Sequence, residues 1–344
     1  MHWKPYSKYY RMREVKSNDY SIFIETESSQ SFDFSTYSQL AILVDENTKR
    51  DCLPIFLEET NVDAILIEIP SGEEHKNLEG CQLIWNALSA NHLDRNSLLI
   101  NLGGGVIGDM GGFAASTYKR GIDFIQIPTS LLAMVDASVG GKLGIDFAYL
   151  KNQIGVFNNP KAVLINPVFL NSLPKNQLLS GFTEVVKHAL IADKYYWKEI
   201  KNTPLEKMNW ESVIHQSVVI KNNIVMQDPL EKGDRKKLNF GHTFGHAIES
   251  FYLKQGKPIL HGEAVSLGMI LESNLSKINK KEKQEISSFI SNTFSIPKQP
   301  PLRALLDWMK SDKKNRKEKI NFTLLNGIGS SIINQEFIVD ELLY

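Results

Sequence analysis

Apolar positions in the first half of the chain gather into short runs separated by stretches of helical period. Leu40 to Val44, Ala64 to Ile69, Ser97 to Leu102, Phe124 to Ile127 and Ala162 to Ile165 are apolar-rich runs of strand length. Such runs, alternating with helical patterns, predict buried strands of a parallel α/β sheet. From about Leu170 the strand pattern fades, and Gln177 to Ile191, Trp210 to Met226, Gly241 to Tyr252 and Gly262 to Lys277 read as helices. The fold class expected is therefore α/β plus all-α. Asn166-Pro167 and Leu173-Pro174 punctuate the change, which places the boundary after residue 168: 1–168 as the sheet domain, 169–344 as the α-helical domain.

Composition narrows what the two parts do. Thirty-nine Lys and Arg balance 39 Asp and Glu, so no overall field draws the chain to nucleic acid or to an anionic membrane, and neither is expected as a partner. Local cations must hold any anionic ligand. The two cysteines, Cys52 and Cys81, fit neither a disulfide framework nor a zinc ribbon, which suits a reducing, cytoplasmic setting. Met1 to Arg13 lacks the apolar core of a signal peptide, and no run of about 18 apolar residues follows, so neither export nor a spanning helix is expected. The first forty residues, with Trp3, Tyr9 and Tyr10, carry no legible chemistry and are expected to form an edge hairpin or a dimer contact.

Directly after the run Ser97 to Leu102 comes Gly103-Gly104-Gly105-Val106-Ile107-Gly108-Asp109-Met110-Gly111-Gly112, which contains GxGxxG. Glycines there permit close backbone approach to a diphosphate, and a helix start offers partial positive charge. Alone, the motif also fits a tight structural turn. The acid best placed for a ribose, Asp45, ends an earlier strand, which departs from the usual order. Ser71-Gly72-Glu73-Glu74-His75-Lys76 forms a second turn after a strand, with Lys76 able to reach a phosphate or ribose. All three features lie at predicted C-terminal strand ends, where open α/β sheets bind ligands.

The helical half holds a different constellation. Asn239-Phe240-Gly241-His242-Thr243-Phe244-Gly245-His246 spaces two histidines by four, and Leu260-His261-Gly262-Glu263 adds a third. Glu184 lies on an amphipathic helix, four residues before His188. One carboxylate with two or three imidazoles makes a catalytic zinc-type site plausible, while spacing alone leaves the competing pair Glu184 and His188 open. Lys142, Lys151, Lys187, Lys221, Arg235, Lys313 and Lys314 recur near these segments, as converging cations for a small, multiply anionic substrate would.

Taken together these segments resemble 3-dehydroquinate synthase, of the sugar-phosphate cyclases, over roughly Asp45 to Gly329. The resemblance rests on Asp45-Glu46-Asn47, Gly72-Glu73-x-x-Lys76, Gly103 to Asp109, Thr117 to Gly121, Val135 to Lys142 and Gly181-x-x-Glu184-x-x-Lys187. It continues through Arg235-x-x-Leu238-Asn239-x-Gly241-His242-Thr243-x-Gly245-His246, Leu260 to Val265 and Asp312-Lys313-Lys314. It implies a Rossmann-like NAD-binding domain joined to a helical metal- and substrate-binding domain, an active site in the cleft between them, and a homodimer. It also implies conversion of 3-deoxy-D-arabino-heptulosonate 7-phosphate to 3-dehydroquinate and phosphate. By motif, Glu184, His242 and His261 would bind Zn2+ or Co2+, leaving His246 for phosphate and proton transfer. Asp45, Ser71, Gly72, Glu73, Glu74, His75, Lys76, Gly105, Val106, Ile107, Gly108, Asp109, Thr129, Ser130, Lys142, Lys151, Phe169, Leu170, Asn171 and Ser172 match positions around NAD. Asp136, Lys142, Asn152, Lys187, Lys221, Arg235, Asn239 and His246 match the substrate pocket, with Arg120 reaching across the dimer.

The reaction the resemblance implies accounts for these residue types. A ring alcohol is oxidised by NAD, phosphate leaves by β-elimination, the hydride returns, and ring opening with an intramolecular aldol closure makes the carbocycle. Arg235 and Lys142 are expected near the carboxylate, Asp136, Lys187 and Lys221 near ring hydroxyls, and Asn152, His246 and one of Lys313 or Lys314 near phosphate. Leu143 stands where the family usually has Thr, Asp146 where Asn is common, and Thr183 where a small apolar residue precedes the metal Glu. The segment at Lys254 to Lys257 is slightly long. A cyclase acting on sedoheptulose 7-phosphate is the nearest rival, opposed by Arg235, Asn239 and His246. A metal-dependent polyol dehydrogenase is opposed by Gly105 to Asp109 and Glu184, and a non-catalytic binding protein by the complete set of catalytic groups.

Overall fold

The computed structural model describes residues 13–148, 150–311 and 319–338. The chain divides into two compact units, 1–129 with 141–171 and 130–140 with 172–344. A single cut near residue 168 therefore does not describe the division, because the segment 130–140 belongs with the helices. The reason is local: a Cβ on Gly181 would lie 2.4 Å from the backbone nitrogen of Leu132, so that segment lies directly against the helix Lys175–Ala192.

The first unit is built on β1 (Arg13–Lys16), β2 (Ser21–Ile24), β3 (Leu40–Val44), β4 (Ile65–Glu68), β5 (Leu98–Gly103), β6 (Asp123–Pro128) and β9 (Ala162–Ile165). Their order is β1-β2-β9-β6-β5-β3-β4, parallel except for the β1–β2 hairpin at one edge. The five apolar runs are five of these strands, and every residue of β5 and β9 is buried, as a sheet covered on both faces requires. The edge hairpin of β1 and β2 matches the expectation for the N-terminal segment; Trp3, Tyr9 and Tyr10 lie outside the described residues. From β3 the chain passes outward to β4 and then returns to the other side of β3 as β5. The β3–β5 junction is thus a topological switch point, the place where such sheets bind ligands at their C-terminal ends. A second hairpin, β7 (Lys142–Phe147) with β8 (Leu150–Phe157), was not foreseen. Leu143 belongs to it and packs in the sheet unit's core with Phe113 and Phe124.

The second unit carries the long helices Lys175–Ala192, Trp210–Gln227, His242–Lys254 and His261–Leu275 within a residue or two of their expected limits. It is not wholly helical. β10 (Lys319–Leu325) and β11 (Ser331–Ile338) form an antiparallel hairpin whose Ile320, Phe322 and Leu324 enter the core beside Ile248, Ala264 and Leu305. The alternation Ile320-Asn321-Phe322 in the sequence is the strand signal that was missed. Among the described residues no helix is long and apolar enough to cross a membrane.

Candidate active site

In the sheet unit, three turns gather at strand C-termini. Asp45, directly after β3, caps the helix Glu46–Asp51, its Oδ1 accepting from the N–H groups of Asn47 and Thr48 at 3.0 and 2.8 Å. After β5, Gly104 opens the helix Gly105–Thr117 with no side chain capping its first amides. That is a donor-rich end suited to a diphosphate. Close packing explains part of the glycine run: a Cβ at Gly111 would lie 2.1 Å from Asn101 Oδ1 and 2.7 Å from Leu43. After β4, the backbone and hydroxyl of Ser71 donate to Glu46 at 2.9 and 2.5 Å, and Gly72 takes a φ of +115°. Glu73, Glu74 and His75 form a short 3-10 turn beside it. Lys76 is buried and its Nζ donates to Asp109 at 2.5 Å and Asn152 at 2.8 Å. Asn152, expected at the substrate phosphate, is thus brought to the Gly105–Thr117 helix of the sheet unit, and holds a left-handed φ of 49°.

The remaining expected positions of this unit are more scattered. Lys151 lies 3.6 Å from Glu73, Lys142 is exposed at the start of β7, and Thr129 donates its N–H to Gly103. Phe169 and Leu170 are buried apolar side chains, whereas Asn171 is exposed at the end of the unit. Arg120 is exposed with a left-handed φ of 69°. Asp146 accepts the Asn152 N–H at 2.7 Å across the β7–β8 turn, where its carboxyl is pushed up by burial.

The helical unit collects its groups by close backbone packing. A Cβ on Gly268 would lie 2.0 Å from the Gly241 carbonyl oxygen, and one on Gly262 would lie 2.4 Å from the Ser180 Cα. Those contacts set the helices bearing His242, His261 and Glu184 side by side. Thr183, which departs from the family pattern, is part of the same seam: its hydroxyl faces Ser266 Oγ at 3.1 Å and the Gly262 carbonyl at 3.2 Å.

At this seam Nε2 of His242 and Nε2 of His261 both lie 3.5 Å from Oε1 of the fully buried Glu184. Nδ1 of His242 donates to the Phe240 carbonyl at 3.1 Å, and Nδ1 of His261 faces Glu249 at 3.6 Å. Each imidazole therefore turns Nε2 toward the carboxylate, the arrangement metal-bound histidines adopt. The three ligand atoms lie within 4.8 Å of one another, with Oε1 of Glu184 turned to both imidazoles. This donor set fits a divalent cation. His246, on the same helix face, has its ring centroid 5.3 Å from that of His242 but stands outside this group of three and is exposed.

The alternative group, Asp136, Glu184 and His188, is equally compact. However, Lys187 contacts Glu184 Oε2 and lies 3.9 Å from Asp136 Oδ1, so an ammonium already sits between those carboxylates. His188 is fully buried, and burial lowers its pKa. Lys221 is 2.8 Å from Asp136 Oδ1 and donates to the Asp136 carbonyl. Burial would raise both carboxyls, yet Lys221 and Lys187 hold Asp136 well below its ordinary value, and Lys187 with His242 does the same to Glu184. The cations respond unequally. Burial brings Lys221 down to about 8 despite Asp136, whereas the pull of Glu184 and Asp136 overcomes burial at Lys187 and raises it. Burial and the Lys187 charge push His242 well below its ordinary value, while bonds to Glu184 and Glu249 overcome burial to lift His261 to about 10.

Arg235 is almost wholly buried and gives two bonds to backbone carbonyls, Pro229 at 2.5 Å and Gly140 at 3.0 Å. Gly140 has a φ of +103°, and a Cβ there would lie 2.6 Å from the guanidinium. Asn239 donates to Glu231 at 2.7 Å, and Glu231 carries a left-handed φ of 57°. The sequence reading passed over Glu231, Glu249 and Glu272; only the first left a faint signal, an acid just before Arg235. Lys313 and Lys314 lie outside the described residues.

Comparison with known proteins agrees with this reading of the fold. The chain is 42% identical over 320 residues to a 3-dehydroquinate synthase of Parabacteroides distasonis, covering 89% of this chain and 90% of the relative. It superposes with a TM-score of 0.84 on a 2-deoxy-scyllo-inosose synthase solved with carbaglucose-6-phosphate, NAD+ and Co2+, at 22% identity over 97% and 98% of the two chains. A 2-epi-5-epi-valiolone synthase from Streptomyces hygroscopicus subsp. jinggangensis, solved with NAD+ and Zn2+, gives a TM-score of 0.83 at 23% identity over 97% of each chain. The family models described as 3-dehydroquinate synthase N-terminal and C-terminal match residues 66–180 and 181–315, and the chain belongs to the 3-dehydroquinate synthase family.

Proposed function

We propose that this 3-dehydroquinate synthase family member converts 3-deoxy-D-arabino-heptulosonate 7-phosphate to 3-dehydroquinate and phosphate with NAD held by the sheet unit and a divalent cation held by Glu184, His242 and His261. The observation that carries the reading is the trio itself: a buried carboxylate whose Oε1 is faced by two Nε2 atoms at 3.5 Å. When bound, the cation supplies Lewis acidity toward a ring hydroxyl, and the nicotinamide a reversible hydride acceptor.

The chain's own groups do the rest. Gly105, Val106, Ile107, Gly108 and Asp109 bring the helix start to the diphosphate, and Asp45, whose cap bonds use Oδ1, offers its other oxygen to a ribose hydroxyl. Lys187, Lys221 and Asp136 grip ring hydroxyls through a buried charge network that loses little freedom on binding. Arg235, already fixed by two carbonyls, presents its guanidinium to the substrate carboxylate. His246 and Asn239 orient the phosphate side, and the exposed His246 imidazole is the proton carrier during elimination. Lys142, Asn152, Lys313 and Lys314 as further substrate contacts belong to the same proposal. So do a cytoplasmic homodimer and the trans role of Arg120; sedimentation of the purified protein tests the dimer.

The deciding experiment measures phosphate release by metal-loaded protein with catalytic NAD while absorbance at 340 nm is followed. Many turnovers without net NADH, abolished by a chelator, are expected. No release, or NADH accumulating in step with product, would overturn the proposal in favour of a sedoheptulose phosphate cyclase or a dehydrogenase. His246→Ala is expected to slow elimination with metal content unchanged; loss of metal would make His246 a ligand.

A further inference from the structure

Each of the two histidine-bearing helices carries a buried acid that the proposed reaction does not use. Glu249 lies two turns beyond His242 on the helix His242–Lys254, and its Oε2 is 3.6 Å from Nδ1 of His261 on the neighbouring helix. Glu272 lies three turns beyond His261 on the helix His261–Leu275 and is fully buried. Its carboxylate accepts the backbone N–H groups of Gly241 at 2.6 Å, Thr243 at 3.0 Å and Phe244 at 3.1 Å. Those amides begin the helix that carries His242, which has no side-chain cap of its own. The acid of each helix therefore grips the other: one holds a histidine ring, the other a helix start.

Chemistry makes the Glu272 grip stiff. A carboxylate taking three amide donors in a dry seam has charge-assisted bonds in fixed directions, and the negative charge complements the helix N-terminus. The close approach of Gly268 to the Gly241 carbonyl brings the Glu272 side chain within reach of those amides. His242 is the first residue of the capped helix, so any slip of that end moves its Nε2 directly relative to His261, whose ring centroid is 5.3 Å away.

We infer that Glu249 and Glu272 form a reciprocal acidic clamp whose task is to set the separation and orientation of His242 and His261 for the cation, making both acids positioning residues. The inference rests on the metal reading of the proposed function. It is tested without turnover, by Co2+ affinity against a chromophoric chelator and by the visible absorption of the Co2+ protein. Glu272→Gln sets an amide group among backbone donors, and Glu249→Ala removes the group facing His261. Each is expected to weaken Co2+ binding about 10- to 100-fold and to shift the absorption band. Glu249→Gln, which keeps an acceptor for Nδ1–H, is expected to recover part of the affinity. Glu285→Gln serves as the control, since Glu285 pairs with Trp197 and Lys201. It should bind Co2+ as the parent protein does.

Parent-like affinity and spectrum in Glu272→Gln and Glu249→Ala would overturn the clamp, as would an equal loss in the Glu285→Gln control. If Glu272→Gln does not fold, Glu249→Ala and its partial rescue decide the question. Failure of the parent protein to bind Co2+ would instead remove the metal reading underneath and the clamp with it.

Discussion

The sheet unit and the helical unit build their candidate sites from different materials. At the β3–β5 switch point the groups on offer are mostly backbone: an uncapped helix start, glycine turns and a helix-capping Asp45. In the helical unit they are ionised side chains deep in the protein, with Glu184, Lys187 and Arg235 almost wholly buried. A backbone site needs open space and tolerates solvent, whereas a site of buried charges holds together only while each charge has its partner. The second should therefore be the more sensitive to lost charges, while both respond to atoms added where their supporting backbones meet.

The largest effect is expected where a buried charge is removed. Lys187→Met leaves Glu184 and Asp136 short of their cation and should destabilise the metal-free protein by about 3–5 kcal/mol in urea unfolding. A loss under about 1 kcal/mol would erase the contrast between the units.

Added methyl groups sharpen it from the other side. Gly111→Ala and Gly268→Ala each force an overlap and should cost about 1–3 kcal/mol by the same measurement. Only Gly268→Ala is expected to weaken Co2+ binding, and only Gly111→Ala to weaken NAD binding, since each disturbs the packing beneath one site. Swapped or shared losses would show that the sites are not supported separately.

Lys221 gives a pH test. Its folded value of about 8 lies below the roughly 10.4 of an unfolded lysine, so the folded state disfavours the charged form. The resulting penalty is complete below pH 8 and is relieved as pH rises toward 10.4, because the unfolded chain binds the extra proton there. The parent should be least stable relative to Lys221→Met below pH 8, and should rise relative to that variant by about 1–3 kcal/mol between pH 8 and 10. A constant difference across that range would mean that Lys221 is not strained.

The smallest effect belongs to the sheet unit. Asp45→Ala removes the cap of the helix Glu46–Asp51 and should cost about 1 kcal/mol, while Asp45→Asn keeps the cap. Both are expected to weaken NAD binding in a fluorescence titration. Parent-like NAD affinity in both would reduce Asp45 to a helix cap.

How far the sequence could be read follows the same division. Strand positions such as Leu40–Val44 and Ala162–Ile165 coincide with their apolar runs because a doubly covered sheet demands unbroken apolarity. The glycine turn was legible for a similar reason, since its chemistry lies in consecutive backbone atoms. The hairpin β7–β8 escaped because its strands flank a turn inside a glycine- and charge-rich stretch. In the helical unit the spacing of His242 and His246 suggested a shared face, but Glu184 and His261 come from two other helices, and the choice of Glu184, His242 and His261 followed from resemblance, not from period. No local pattern marks Glu249 or Glu272 as more than helix polar residues.

The sequence by itself determined what repeats along the chain: strand and helix periods, turn glycines, and the stock of ligating and cationic residues. Only the tertiary structure decided that Asp45 and the Gly103–Gly105 turn share a switch point, that the segment 130–140 joins the helices, and that Lys187 lies between Glu184 and Asp136. It also decided that the two Nε2 atoms converge on Glu184. The physical reason is range: hydrogen bonds within an element and burial of one face act over a few residues, whereas a buried charge is placed by helix packing between segments distant in sequence.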